Sequence, residues 1–386
     1  MKFKTLSVHA GQRIDPQTGA LTTPLYQSST FSYGTAAEGQ ARFAGQNPGF
    51  IYSRFANPTT AELEQKLARL EGADEALVLA SGMAAVSAIM YALADSGDEV
   101  AFVDPLYGGT DAFLQQTLVR AGVTVRRYSS DQALLDSITP ATKVVLFETV
   151  TNPNLKVVDP HKVVAAAQKV GALTVCDNTF LTPYLLQPLA LGVDLVMHSG
   201  TKYLGGHGDI IAGVVAGRSE LMQKVRTVAL KHIGSPIGPQ EAYLLQRGVK
   251  TLALRMDAHL HNTERVAAFL AEHPAVAAVR YPGLASHPGH QVLADISRGF
   301  GGMISLELAG GFARCSRFLD KLTLFTQAVS LGDLESLACH PASTTHAAMS
   351  AAARQAAGVS DDLVRLSIGV EDVDDLIADL DTALRA

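Results

Sequence analysis

The chain has 386 residues, 47% hydrophobic and 18% charged, and its 31 Lys and Arg against 37 Asp and Glu leave a formal charge of −6. At roughly 100–200 residues per domain, this length makes two or three domains and can bury a sizeable core. The composition excludes a disordered chain, and the mildly acidic balance without any Lys/Arg run argues against an electrostatic nucleic-acid binder. Cys176, Cys315 and Cys339 are far apart and form no CxxC pair, which speaks against a disulfide framework or a zinc–cysteine site. Residues 1–11 lack the apolar core of a signal peptide, and no uninterrupted apolar stretch of about 18 residues offers a membrane span. A soluble protein of a reducing, cytoplasmic compartment is expected.

Residues 1–50 are rich in Gly, Gln, Ser, Thr and Pro and read as an extended arm, although Tyr26, Phe31, Tyr33 and Phe43 require something to bury them. Regular structure starts at Asn57-Pro58-Thr59. Thr59 with Glu62 makes a capping-box pattern ahead of Leu63, Leu67 and Leu70, and Gly72 supplies the stop. Short apolar runs then alternate with helical stretches: Ala76–Ala80, Glu99–Val103, Val123–Arg127, Lys143–Phe147, Leu173–Cys176, Asp194–Met197 and Ile210–Ala216. Runs apolar on consecutive residues belong to strands covered on both faces, so the alternation predicts a mostly parallel sheet with crossover helices. From about Gln240 a long Ala/Leu-rich helical segment reaches Glu272. Shorter runs follow at Val279–Tyr281, Met303–Leu308, Leu322–Val329 and Leu363–Ile368, and a helical pattern at Asp374–Leu384. The predicted division is an arm (1–50), a larger α/β domain (51–247) and a smaller C-terminal α+β domain (248–386).

No GxSxG elbow, GxxxxGK[ST] loop or HExxH is present, and Gly206-His207-Gly208 lacks the spacing and acidic partner of a dinucleotide fingerprint. His198, His207 and Asp209 match no helix-face spacing for a metal, and no metal site is expected. Three places carry chemistry instead. Ser81-Gly82-Met83 lies between a strand and a helix, where free N–H groups and the dipole favour an anion. Asp177 follows a strand directly, where a carboxylate can accept a hydrogen bond from a protonated ring nitrogen. Lys202, in Ser199-Gly200-Thr201-Lys202-Tyr203, sits among small hydroxyl residues; partly desolvated, it can form a Schiff base with an aldehyde. A phosphate cup, a ring-nitrogen carboxylate and a Schiff-base lysine are the groups that pyridoxal phosphate needs.

These residues resemble the Cys/Met-metabolism (trans-sulfuration) family of fold-type I pyridoxal-phosphate enzymes, which are similar in fold to aspartate aminotransferase. The resemblance runs along nearly the whole chain. Tyr52-Ser53-Arg54 and Asn57-Pro58-Thr59 carry it first, then Ser81-Gly82-Met83-Ala84-Ala85 and Tyr107-Gly108-Gly109-Thr110. Glu148-Thr149 with Thr151-Asn152-Pro153, Asp177-Asn178-Thr179-Phe180 and His198 to Tyr203 continue it. Arg247 to Leu252, Tyr281 to Leu284, Ser330-Leu331-Gly332 and Arg365-Leu366-Ser367 complete it. It implies a seven-stranded, mostly parallel sheet with helices on both faces, and pyridoxal 5'-phosphate as cofactor.

By the same resemblance, Lys202 would hold the cofactor and shuttle protons, and Asp177 would keep the pyridine nitrogen protonated. Tyr107 would stack on the ring and protonate the leaving sulfur. Gly82, Met83, Ser199 and Thr201 would hold the phosphate, joined by Tyr52 and Arg54 of a neighbouring subunit. A catalytic homodimer, usually paired into a homotetramer, is implied. Gly82, Gly108 and the run Gly205 to Gly208 read as loops around the phosphate-bearing cofactor. Arg365 would clamp the substrate α-carboxylate with Asn152 and Ser330 assisting.

The implied reaction is γ-elimination on a sulfur amino acid, giving 2-oxobutanoate, ammonia and a thiol. Family members acting on cystathionine usually carry Glu before Ser-Leu-Gly. Val329 stands there, and Ala328 to Asp333 with His340 to Ser343 look more like methionine γ-lyases and sulfhydrylases. Gly109 departs from the Cys of methionine γ-lyases, Lys231-His232 departs from their Lys-Asp, and Thr344-Thr345-His346 is similar to sulfhydrylases. Methionine γ-lyase-like elimination ranks first; a homoserine-ester sulfhydrylase, a cystathionine γ-lyase and, remotely, an inactive scaffold relative are the alternatives.

Overall fold

In a computed structural model that describes residues 1–347 and 349–386, the consecutive apolar runs become one seven-stranded sheet. Its strands are β1 (Glu75–Leu79), β2 (Glu99–Val103), β3 (Thr124–Tyr128), β4 (Thr142–Glu148), β5 (Leu173–Asp177), β6 (Leu195–Ser199) and β7 (Gly213–Gly217). They lie in the order β1-β7-β6-β5-β4-β2-β3. Only β7 runs against its neighbours; the other pairings are parallel.

Side chains alternate across a strand, so each strand feeds two cores. Ala101, Val145, Phe147, Cys176 and Val196 face a layer of helices that includes Pro58–Glu71, Pro160–Val170 and Pro239–Lys250. Phe102, Val144, Leu146, Val175 and Met197 face the helices Gly82–Leu93 and Ser219–Arg226. This double burial is why the strands read as unbroken apolar runs. The fold is α/β with a mostly parallel sheet.

The start of the helix Pro58–Glu71 corrects the expected capping box. Asn57 is the N-cap, its side chain accepting from Thr59 N–H, with Pro58 in the first turn. Thr59 is committed elsewhere: its hydroxyl donates to Pro24 O and accepts from Tyr26 N–H, stitching the arm to the helix. Gly72 ends the helix in the left-handed region, at φ +70°.

The long helical segment divides at Thr251 into Pro239–Lys250 and Leu252–Glu272. The buried Arg255 spans this break, donating to Tyr203 O, Leu204 O and Gly248 O. The second sheet comprises β8 (Ala278–Arg280), β9 (Met303–Glu307), β10 (Thr326–Gln327), β11 (Leu337–Cys339) and β12 (Leu363–Ser367), in the order β10-β11-β12-β9-β8. Only β10 and β11 pair in parallel. Val266, Leu270, Ile304, Phe318, Leu366 and Leu380 form its core with the helices Leu252–Glu272, Gly311–Lys321 and Val373–Leu384.

The first 50 residues contain two short helices, Phe3–His9 and Ala36–Phe43. The first is anchored: Phe3 is buried, and Lys66 Nζ donates to Ser7 O and Val8 O. Beyond it, Leu21, Leu25, Tyr26, Tyr33 and Phe43 stay exposed on this chain. Among the described residues no helix is long and apolar enough to cross a membrane.

Candidate active site

Loops leave the carboxyl ends of β1, β2, β4, β5 and β6 on one side of the sheet, the place where open α/β sheets bind ligands. They close on the second sheet around a cavity of about 360 Å³. Gly82, Met83, Tyr107, Asn152, Asp177, Ser199, Thr201, Lys202, Val329, Ser330 and Arg365 all line it.

At one end, Ser81 caps the helix Gly82–Leu93 by accepting from Ala84 N–H, which leaves the Gly82 and Met83 N–H groups at the helix terminus for an anion. A Cβ on Gly82 would stand 3.1 Å from Ser199 Cβ, so glycine permits the close approach of turn and strand. The hydroxyls of Ser199 and Thr201 line the cavity as well.

At the floor, Asp177 Oδ1 takes both the N–H and the hydroxyl of Thr179. Its other oxygen is then available to a ligand. Burial raises the Asp177 carboxyl above the ordinary range; the bonds from Thr179 and the charge of His198 pull the other way. Glu148 stands opposite Asp177 in the β4–β5 register, and burial, then the Asp177 charge, push it up to about 8. A buried carboxyl group in this position suits a cationic ring nitrogen, which would favour its ionised form.

Lys202 Nζ donates to Ser330 Oγ at 3.0 Å. Burial holds its pKa below that of an ordinary lysine; nearby Asp333 opposes this and Arg365 adds to it. A lowered lysine pKa leaves more of the nucleophilic neutral amine. Arg365 is 2% exposed, donating from Nη1 to Asn152 Oδ1 at 2.9 Å and from Nη2 to Val329 O and Ser330 O at 2.9 and 3.1 Å. No carboxylate pairs with it among the described residues. An anion cup, a buried carboxylate and an amine of lowered pKa sharing one cavity fit pyridoxal phosphate.

Two predicted residues stay outside this cavity. Tyr52 is exposed, while Arg54 Nη1 donates to Leu230 O at 2.6 Å and its guanidinium lies 4.5 Å from the Phe55 ring centre. Gly205 to Gly208, expected as a loop around the cofactor, are not among the residues lining this cavity. Gly206, at φ +69°, is demanded by Arg255, whose Nη1 lies 2.0 Å from where a Cβ would stand. His207 Nδ1 meets Gly205 O, and His198 pairs with Glu71 at 2.5 Å beneath the sheet. Sequence reasoning gave no role to Glu148, Thr179 or Thr345, which also line the cavity. Glu148 carried a signal: like Asp177, it closes an apolar strand.

This fold and site define an α/β enzyme built around pyridoxal phosphate. The profile of the Cys/Met metabolism PLP-dependent enzyme family matches residues 4–385, and the chain belongs to that family. It is 47% identical to an L-methionine gamma-lyase of Pseudomonas putida, covering 100% of this chain and 97% of the relative. It is 44% identical to a cystathionine gamma-lyase of Bacillus subtilis, covering 100% of this chain and 99% of the relative. A crystal structure of cystathionine gamma synthase from Xanthomonas oryzae pv. oryzae in complex with cystathionine superposes with a TM-score of 0.94 at 41% identity, covering 100% of this chain and 98% of that one.

Proposed function

We propose that the enzyme catalyses γ-elimination on L-methionine or a related sulfur amino acid, in which substrate and water give 2-oxobutanoate, ammonia and a thiol. The observation that carries this reading is Arg365, a buried guanidinium that no carboxylate pairs with among the described residues, in the same cavity as Lys202. Gly82 and Met83 N–H with the Ser199 and Thr201 hydroxyls would hold the phosphate, Asp177 the ring nitrogen, Lys202 the aldehyde carbon, and Tyr107 the ring face. When bound, pyridoxal phosphate accepts the electron pair released at the substrate α-carbon. Arg365 grips the α-carboxylate through two parallel N–H donors, oriented by Asn152 and Ser330. Lys202 Nζ would take the α-proton and move protons along the carbon chain. The Tyr107 hydroxyl gives its proton to the departing sulfur.

A panel of L-methionine, L-cystathionine, L-cysteine and O-acetyl-L-homoserine with sulfide tests the choice, scoring 2-oxo acid separately from new thioether or thiol amino acid. Release of 2-oxobutanoate from methionine supports elimination. Consumption of the ester alone, and only with sulfide, overturns it in favour of γ-replacement, the second reading, which the presence of Thr345 in the cavity favours.

Val329 lines the mouth and is 57% exposed, which suits an S-methyl group better than a second ammonium. Val329→Glu is expected to raise kcat/KM for cystathionine relative to methionine. An ion pair this exposed is worth about 0.2–1 kcal/mol, so the shift is at most about fivefold. Competition between the two substrates reads it directly.

We further propose a homodimeric catalytic unit, paired into a tetramer, in the cytoplasm. The exposed Leu21, Leu25, Tyr33 and Phe43 of the arm, with Tyr52 and Arg54 following it, support a subunit contact. In that arrangement Arg54 serves the partner's phosphate cup. Mixed dimers of Arg54→Ala and Lys202→Ala chains therefore regain turnover, because one of the two sites then holds both native residues. Turnover no higher than the sum of the separate variants would refute the sharing.

A further inference from the structure

The loops carrying Tyr107 and Asn152 leave the sheet from β2 and β4 and meet at one buried side chain. Glu148 Oε1 accepts the Tyr107 N–H at 2.5 Å, and Oε2 accepts the Asn152 N–H at 3.0 Å. The chain of bonds continues from Asn152 Oδ1 to Arg365 Nη1 at 2.9 Å, from Arg365 Nη2 to Ser330 O at 3.1 Å, and from Ser330 Oγ to Lys202 Nζ at 3.0 Å. Glu148 is 5% exposed, and no Lys, Arg or His forms an ion pair with it among the described residues. A buried carboxylate without a cation is costly, and Asp177 opposite raises that cost. The two N–H bonds counter part of it, and only a group with two acceptor atoms can take both.

We propose that Glu148 is a positioning residue that sets the spacing between Tyr107 and the Asn152–Arg365 pair, so that the cover over the cofactor ring and the clamp on the substrate carboxylate are placed together. This rests on the roles given above to Tyr107 and Arg365. Both oxygens of Glu148 are engaged by the Tyr107 and Asn152 N–H groups, so it acts through the two loops.

Glu148→Gln keeps the shape and turns one acceptor into a donor, which then faces an N–H head on. Glu148→Asp keeps both acceptors but is one methylene too short to reach the two loops at once. Both holoenzyme variants are to be titrated with glycine, which carries the α-carboxylate and amine without a leaving group, following the visible spectrum. Circular dichroism of the cofactor band, before glycine is added, reports the ring's surroundings independently of turnover.

Both signals are expected to move together, with a weakened dichroic band and a glycine Kd raised about 10–100-fold, the size of effect expected when a supporting group is lost. A change in only one signal, or in neither, overturns the proposal. Should the variants not fold, amide exchange in the native holoenzyme decides. Comparable slowing of the segments 104–110 and 149–155 supports the shared anchor, and open-loop exchange in either refutes it. Native enzyme that lacks a visible cofactor band, or Lys202→Ala that keeps its turnover, would instead sink the reading of the site itself.

Discussion

Lys202→Ala is expected to lower kcat/KM for methionine by about 10⁴-fold or more, the upper end of what one positioned acid–base group supplies. The residue has two tasks that no neighbour can take over. Among the described residues it is the one amine lining the cavity, so its loss removes the attachment point for an aldehyde. It is also the group whose pKa the site has lowered, chiefly by burial, which favours the neutral amine that takes a proton. The anion cup and Asp177 remain in the variant, so the cofactor still binds, without a covalent bond to protein. Borohydride reduction followed by intact mass measurement checks this separately from turnover. Native chain gains the mass of one pyridoxyl phosphate and the variant gains none. Label on another lysine, or near-native turnover, would refute the assignment.

The central sheet was legible because burial on both faces writes each strand as a continuous apolar run, and strands that end in Asp177 and Ser199 announce which end carries ligands. The second sheet was harder to read. The run Leu322–Val329 promised a strand, yet only Thr326–Gln327 pairs, because the Asp379 carboxylate of a distant helix captures the N–H groups of Thr323, Leu324 and Phe325. β11, three residues long, is too short to show a period. Thr59 looked like a helix cap until the arm claimed its hydroxyl. Gly206 looked like part of a phosphate loop, whereas Arg255, 49 positions later, explains it. Apart from the short β11, each miss involves a partner remote in sequence, which spacing along the chain cannot reveal. Glu148 belongs with them: its place at a strand end was visible, but its two loops become neighbours only when β2, β4 and β5 pair.

Arg365 decides whether the cavity is built for amino acids, and its substitution should show this more sharply than any loss of rate. Removing one partner of a buried, hydrogen-bonded charge pair costs about 2–5 kcal/mol, so Arg365→Leu should lower kcat/KM for methionine roughly 30- to 5,000-fold. The substitution also strips donors from Asn152 Oδ1, Val329 O and Ser330 O, so a lower rate alone would not separate binding from repacking. Arg365→Lys restores the charge but not the two-pronged geometry, and it should recover only part of the loss. The decisive comparison is methionine against 3-(methylthio)propylamine, the same molecule without its carboxylate, each titrated by its effect on the cofactor spectrum. Native enzyme should strongly prefer methionine, because the amine leaves the buried guanidinium without an anion. In Arg365→Leu the amine faces no unpaired charge, and methionine buries a carboxylate with no partner, so the preference should vanish or reverse. A preference for methionine that survives in Arg365→Leu would place the carboxylate elsewhere in the cavity and take away the observation on which the proposed substrate class rests.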